Sequence, residues 1–350
     1  MNVSSVDFNS LNFAFLQSNW QGQCGYLYNG PQFELSKIVA ATAAQGGILP
    51  MDAPGNRLNA SYTSHFDGPS LKCSDVLGSL RSEILNNVNA TSFKNTSFDR
   101  SYGYLSWAPK MASRLPFVVS DDEGPTTISQ TLGPRNGGPL ALYVATFPQM
   151  QNVYKTDGLR WTPGYYDDAT IVECHLTNAT YTASFNWTNG IRDMEISVAA
   201  PTSDIYYSNA IDCTRFLYMP DVPSNFSLST DLGALSMYNN TIIQRYAYQA
   251  VMDAFGQLLA GTISHARIPQ MDVATTVMNT PVSTVRELDF LRANDSDGLE
   301  VTSFLTRPNS SRWPGVSVPQ ETNSSSTLRT TLEELFQNIT LSLMTAKSLQ

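Results

Sequence analysis

Tyr181-Thr182-Ala183-Ser184-Phe185-Asn186-Trp187-Thr188-Asn189-Gly190-Ile191-Arg192-Asp193-Met194-Glu195-Ile196-Ser197-Val198 reads as two strands joined by a tight turn. Aromatic and β-branched residues alternate with short polar ones, so Tyr181, Ala183 and Phe185 share one face of a pleated strand. Asn189-Gly190 supplies the two positive-φ positions that a two-residue hairpin turn needs. An antiparallel β protein is therefore the first expectation.

Further strands are predicted on either side, over Ser101 to Trp107, Pro139 to Phe147 and Thr170 to Leu176, each rich in β-branched or aromatic residues. Asn136-Gly137-Gly138-Pro139 and Thr162-Pro163-Gly164 separate them as turns. Glu34 to Ala41 fits a short helix or a buried strand, ending at Gly46-Gly47, and periodicity does not separate the two. Two helices are clearer. Ile243, Ala247, Ala250, Val251, Ala254, Phe255, Leu258 and Leu259 form an apolar stripe near 241–262; Leu328, Leu332, Leu335, Phe336, Ile339 and Leu343 form another near 326–345. Thr330 and Glu333 have capping-box spacing. The second stripe is expected to dock on the sheet, because its opposite face lacks the Lys and Arg of a membrane-surface helix.

The expected fold is α+β, predominantly antiparallel and sandwich-like, stapled by disulfides. Length permits one large unit or two β-rich parts, 1–155 and 156–350. An internal echo bears on duplication of these parts: Asn59-Ala60-Ser61-Tyr62-Thr63-Ser64-His65-Phe66 matches Asn178-Ala179-Thr180-Tyr181-Thr182-Ala183-Ser184-Phe185 at six of eight positions, counting Ser and Thr as alike. The cysteines near the two segments do not align, which favours coincidence instead.

Asn-x-Ser/Thr triplets number twelve, starting at Asn2, Asn59, Asn89, Asn95, Asn178, Asn186, Asn225, Asn239, Asn294, Asn309, Asn323 and Asn338. Unselected sequence of this composition would give about five, so the surplus points to a chain processed in a secretory lumen. Sugars are expected mainly on Asn59, Asn89, Asn95, Asn178, Asn225, Asn309 and Asn323. Cys24, Cys73, Cys174 and Cys213 form an even set without Cys-x-x-Cys spacing, which reads as two disulfides rather than a metal or redox site. Three pairings are open; Cys24 with Cys73 and Cys174 with Cys213 is preferred because each closes a local loop.

A net charge of −9 leaves no basic stripe for a nucleic-acid backbone. No segment holds the ~18 continuous apolar residues that a membrane crossing requires, and Met1 to Asp7 lacks the basic start and apolar run of a signal peptide. The expectation is a piece of a longer membrane protein, anchored by segments outside this chain. It would face the exterior of the plasma membrane or the lumen of a secretory compartment.

Asn59-Ala60-Ser61-Tyr62, Phe66-Asp67-Gly68-Pro69-Ser70-Leu71-Lys72-Cys73 and Leu335-Phe336-Gln337-Asn338-Ile339-Thr340-Leu341-Ser342 resemble segments recurring in large ectodomains of uncharacterised ascomycete integral membrane proteins. The likeness spans much of the chain. It implies transmembrane helices before the glycosylated region and another after it, and no established activity. Some members carry a label similar to formylmethionine deformylase. That chemistry needs a metal held partly by a His-Glu-x-x-His helix, which this sequence lacks. Ala40-Ala41-Thr42-Ala43-Ala44-Gln45 lacks the glycines of the deformylase segment it faintly resembles, so the activity is not transferred.

Other enzyme signatures are missing too: His65, His175 and His265 show no paired ligand spacing, and there is no Gly-x-Ser-x-Gly elbow, phosphate loop or dinucleotide fingerprint. No metal and no cofactor are expected. Asp295-Ser296-Asp297-Gly298-Leu299-Glu300 fails as a calcium loop, since Ala293 and Phe304 occupy positions that require carboxylates. Asp121-Asp122-Glu123-Gly124-Pro125 reads as an exposed acidic turn. The best ligand-binding candidate is Trp161, Tyr165, Tyr166, Asp167 and Asp168, where aromatics could stack on sugar faces and acids could bind hydroxyls. The alternative there is a Pro-Gly turn with aromatics packed beneath it and the acids in solvent. Function is thus expected to be non-catalytic surface work on wall polysaccharide or another protein, with a glycosidase-like hydrolase using dispersed carboxylates as the rival.

Overall fold

The computed structural model describes residues 13–18, 25–92, 100–109, 114–120, 124–127, 140–148, 166–206, 210–212, 240–266, 270–291 and 326–345. In chain order these form β1 (Ala14–Ser18), β2 (Gly25–Pro31), α1 (Phe33–Gln45), β3 (Ala60–Asp75), α2 (Gly78–Ser92), β4 (Arg100–Trp107), β5 (Phe117–Ser120), β6 (Gly124–Thr127) and β7 (Ala141–Thr146). They continue with β8 (Thr170–Thr188), β9 (Ile191–Val198), β10 (Ser203–Asp204), β11 (Ala210–Asp212), α3 (Asn240–Leu259), β12 (Gly261–Ala266), β13 (Gln270–Val273), three short 3₁₀ turns between Val277 and Leu291, and α4 (Leu328–Ser342).

The fold is α+β. An open antiparallel sheet of eight strands runs β10-β8-β7-β4-β12-β13, with β3 and β9 also paired to the long β8. β3, β4 and β7 precede residue 155 and the other strands follow it, so both halves of the chain share this sheet. The predicted hairpin is present: β8 and β9 pair from Thr188↔Ile191 back to Tyr181↔Val198, with Asn189 at φ 52° and Gly190 at φ 80° in the turn. Thr170 to Leu176 and Tyr181 to Thr188 prove to be one continuous strand of 19 residues.

One face of the sheet buries α1, α3 and α4 in the larger core cluster; the other packs on α2 through Ile84, Leu85 and Val88 against Tyr102, Leu105, Trp107 and Tyr143. A three-stranded sheet, β1-β2-β11, packs on α3. Helix α3 thus contacts both sheets, which explains why Tyr246, Tyr248, Gln249, Met252 and Asp253 are buried in addition to the predicted stripe. The Tyr28 hydroxyl on β2 donates to Asp253 Oδ2 at 2.6 Å, tying the small sheet to the helix.

The segment over 34–41 is helical, with Leu35, Val39, Thr42 and Ala43 buried and Gly46 closing it at φ 71° through its N–H to the Thr42 carbonyl. Helix α4 begins with a capping box, but its partners are Thr327 and Thr330 rather than Thr330 and Glu333. Glu333 instead accepts the Cys73 N–H at 2.7 Å, joining α4 to β3. Helix α2 was not predicted, because only Ile84, Leu85 and Val88 mark its apolar side.

The echo segments are neighbours in space. Tyr62 lies opposite Phe185 and Phe66 opposite Tyr181, with ring centroids 4.9 and 5.2 Å apart. Matching sequences here mean matching sides of one ladder, whose aromatic cross-strand pairs stabilise it by roughly 0.2–1 kcal/mol each.

The β3–β8 ladder holds its register from Ala60↔Trp187 to Asp75↔Val172, yet the core-facing side changes midway. In β8 the core takes Val172, Cys174 and Leu176, then Ala179, Tyr181, Ala183, Phe185 and Trp187. In β3 it takes Phe66, then Leu71 and Cys73. Both strands change phase together at Gly68-Pro69 opposite Asn178-Ala179. The strong twist of a long antiparallel ribbon accounts for such a turnover. Gly68 sits where a Cβ would come within 3.2–3.3 Å of Thr340, Phe66 and Tyr181, and Pro69 brings no ladder N–H.

One disulfide joins Cys73 to Cys174, which are register partners on β3 and β8. This corrects the preferred pairing of Cys24 with Cys73 and Cys174 with Cys213: the long ladder brings together two cysteines that sequence distance kept apart. Cys24 and Cys213 lie outside the described residues. No helix among the described residues is long and apolar enough to cross a membrane.

Candidate functional site

The predicted aromatic-acid cluster is divided by the fold. Tyr166 is a core residue: its hydroxyl shares a hydrogen bond with Ser92 Oγ at 2.7 Å, and its ring meets Phe147 edge-on at 4.8 Å. It is not available to stack on a sugar. Asp167 and Asp168 are exposed in the turn before β8, and the Asp167 carbonyl accepts from Arg81. Trp161 and Tyr165 lie outside the described residues, as do the segments 121–123 and 295–300.

Of the predicted sugar-bearing positions, Asn59 is exposed and Asn89 and Asn178 are half-buried; Asn95, Asn225, Asn309 and Asn323 lie outside the described residues. Asn59 Oδ1 accepts the Asn189 N–H at 2.9 Å, fastening the β3 entry to the hairpin turn. Asn178 Oδ1 accepts from the Tyr248 hydroxyl at 3.0 Å. Asn186 is exposed on β8, and Asn338 is half-buried on α4.

His65 is exposed on β3 and hydrogen-bonds Thr182 Oγ1 across the ladder at 3.0 Å. His175 belongs to a polar cluster on the α2-facing side of the sheet. Its Nε2 lies 3.0 Å from Glu173 Oε1, and the buried Tyr143 hydroxyl donates to the same carboxylate. Burial alone would raise the Glu173 carboxyl; hydrogen bonds from His175 and Tyr143, with the charges of His175 and Arg114, outweigh it and hold the group below its ordinary range. Tyr143 stacks on Trp107, whose indole N–H donates to the Arg114 carbonyl at 3.1 Å. A carboxylate held ionised in this way orients its donors and is poorly suited to protonate a leaving group. The Glu173-x-His175 spacing places both side chains on one strand face, a signal legible in sequence once Thr170 to Leu176 is taken as a strand.

A second arrangement lies where β3 ends. A cleft of about 370 Å³ is lined by Asp75, Val76 and Leu77 from the β3 exit, Ala169 to Val172 from β8, Arg81 from α2, Arg286 and Glu287 from a 3₁₀ turn, and Thr327 and Arg329 at the start of α4. No sequence pattern announced it, since Arg81, Arg286 and Arg329 stand 205 and 43 positions apart in turn along the chain and line one cleft only through the fold. Among the described residues no group of three His, Cys, Asp or Glu side chains is placed to hold a metal ion.

Comparison with family models, curated proteins and solved structures returns no match. The chemistry of these sites therefore rests on their geometry.

Proposed function

We propose that this chain is a glycan-bearing, non-catalytic exterior region of a membrane protein, contacting wall polysaccharide or another protein at the cell surface. The observation that carries the exterior assignment is the Cys73–Cys174 bridge. Such bonds persist in oxidising compartments and are rare where glutathione and thioredoxin keep thiols reduced. The acceptor asparagines support it: Asn59 and Asn186 are exposed, and Asn89, Asn178 and Asn338 keep partial exposure. Membrane attachment rests on the resemblance to fungal ectodomains.

Surface contact is supported by the outer face of the β3–β8–β9 region. Ser61, Thr63, His65, Thr180, Asn186, Asp193, Glu195 and Ser197 are exposed there, while Tyr62, Phe185 and Trp187 stack on the core side. A partner would meet hydroxyls and carboxylates rather than rings, so hydrogen bonding would dominate the contact. A glycan on Asn186 would stand amid this face, between its cross-strand neighbours Ser61 and Asp193.

The test uses the full chain secreted from a eukaryotic host. An amidase that removes N-glycans should lower its mass in several steps, and Cys73 and Cys174 should resist alkylation until reduced. Native material found in cytosol, without carbohydrate and with both thiols reactive, would refute the exterior assignment. A glycan array and a pull-down that both return nothing would refute the contact role.

A further inference from the structure

We propose that the cleft at the β3 exit binds an oxyanion group, carboxylate or phosphate, carried on a small organic body. Arg81, Arg286 and Arg329 reach it from three separate elements, in a chain whose net charge is −9. Two carboxylates also line it. Glu287 Oε2 accepts the Leu328 N–H at 3.2 Å and so serves the start of α4, which leaves Asp75 as the other local counter-charge. Arg81 is fixed by the carbonyls of Asp167 and Ala169. Arg286 and Arg329 have neither an ion pair nor a hydrogen-bonded partner among the described residues.

Unpaired guanidiniums around a concavity are a poor use of charge for stability, yet they match the forked geometry that carboxylate and phosphate recognition needs. Both flanking helices begin here as well: α2 starts one residue after Leu77, and α4 starts between Thr327 and Arg329. Their positive ends add to the arginine field without being its source. Val76, Leu77, Ile171 and Val172 give an apolar wall for the carbon body of a ligand. The volume falls within the ~300–1,000 Å³ of small-molecule clefts. This assignment goes beyond surface contact and stands whether or not the outer sheet face has a partner.

Calorimetric titration of the full chain with glucuronate, glucose 6-phosphate and inorganic phosphate, beside neutral glucose, tests it. At least one anion should bind, glucose should bind at least about tenfold more weakly, and added salt should weaken the anion. Glucuronate alone would make the group a carboxylate; the phosphates alone would make it a phosphate. The variant Arg286→Ala with Arg329→Ala should lose about tenfold or more in affinity while keeping the parent melting temperature, since both residues are exposed. The proposal is overturned if no anion binds, if glucose binds as tightly as its charged relatives, or if the folded double variant binds unchanged.

Discussion

The hydroxyl of Tyr181 donates to the carbonyl of Pro69 at 2.8 Å, and it does so at the point where the β3–β8 ribbon turns its other side to the core. Thr340 Oγ1 of α4 donates to the same carbonyl at 2.9 Å. Opposite Pro69, the Asn178 carbonyl accepts the Thr202 N–H at 2.9 Å. Side chains and a neighbouring segment thus satisfy backbone groups at a place where proline withdraws a donor.

Because two hydroxyls share one acceptor, Tyr181→Phe or Thr340→Val alone should cost about 1 kcal/mol, each leaving the carbonyl one partner. Together they should cost more than the sum, since a buried carbonyl then loses both. Urea denaturation of the three variants reads this coupling. Burial raises the Tyr181 phenol to about 12, with hydrogen bonds from Ser70 and Thr340 acting in the opposite direction. A raised folded pKa means that its stabilising contribution is intact below pH ~10 and is lost as pH climbs towards the folded value. Ultraviolet titration should therefore show Tyr181 ionising late, together with alkaline unfolding; the Phe variant should lack this component.

Replacing Cys73 and Cys174 by Ala should cost up to about 4.7 kcal/mol, the chain-entropy figure for a closed loop near 100 residues. Guanidinium denaturation against the oxidised parent measures it. Non-reducing peptide mapping should recover a 73–174 peptide pair. Recovery of Cys24 with Cys73 would contradict it.

Glu173→Gln should erase an acid-sensitive part of stability. The folded carboxyl lies below its ordinary value of about 4.3, so its contribution is complete above that value and disappears as pH falls through the folded one. The groups around it are Tyr143 on β7, His175 on β8 and Arg114, with Ser74 its β3 register partner and Lys72 that of His175. Melting temperatures of parent and variant should differ near neutrality and converge under acid.

Gly261→Ala should be among the most damaging single changes. Gly261 joins α3 to β12 at φ 133°, and an added Cβ would lie 1.9 Å from the Ala274 carbonyl oxygen. Backbone strain and a collision with main chain together suggest a loss of about 3 kcal/mol or more. A thermal melt close to that of the parent would mean that the α3–β12 corner can open.

What was legible in sequence followed local periodicity. The Asn189-Gly190 hairpin, helices α3 and α4, and the Gly46 stop could be read because each depends on residues a few positions apart. The length of β8 was hidden by Asn178-Ala179, where the inward side changes phase and simple alternation fails. The disulfide was hidden for a related reason: a 101-residue separation becomes adjacency only through register. Tyr166 looked like a sugar platform beside two acids, but its hydroxyl had a buried partner in Ser92, 74 positions away. The arginine cleft draws on α2, a 3₁₀ turn and α4, and no linear spacing encodes such a meeting.

The bond between Cys73 and Cys174 has a practical consequence for anyone handling the protein. A protease that cuts between residues 74 and 173 leaves both products covalently joined, so damage there escapes a non-reducing gel and becomes visible only once a thiol reagent is added.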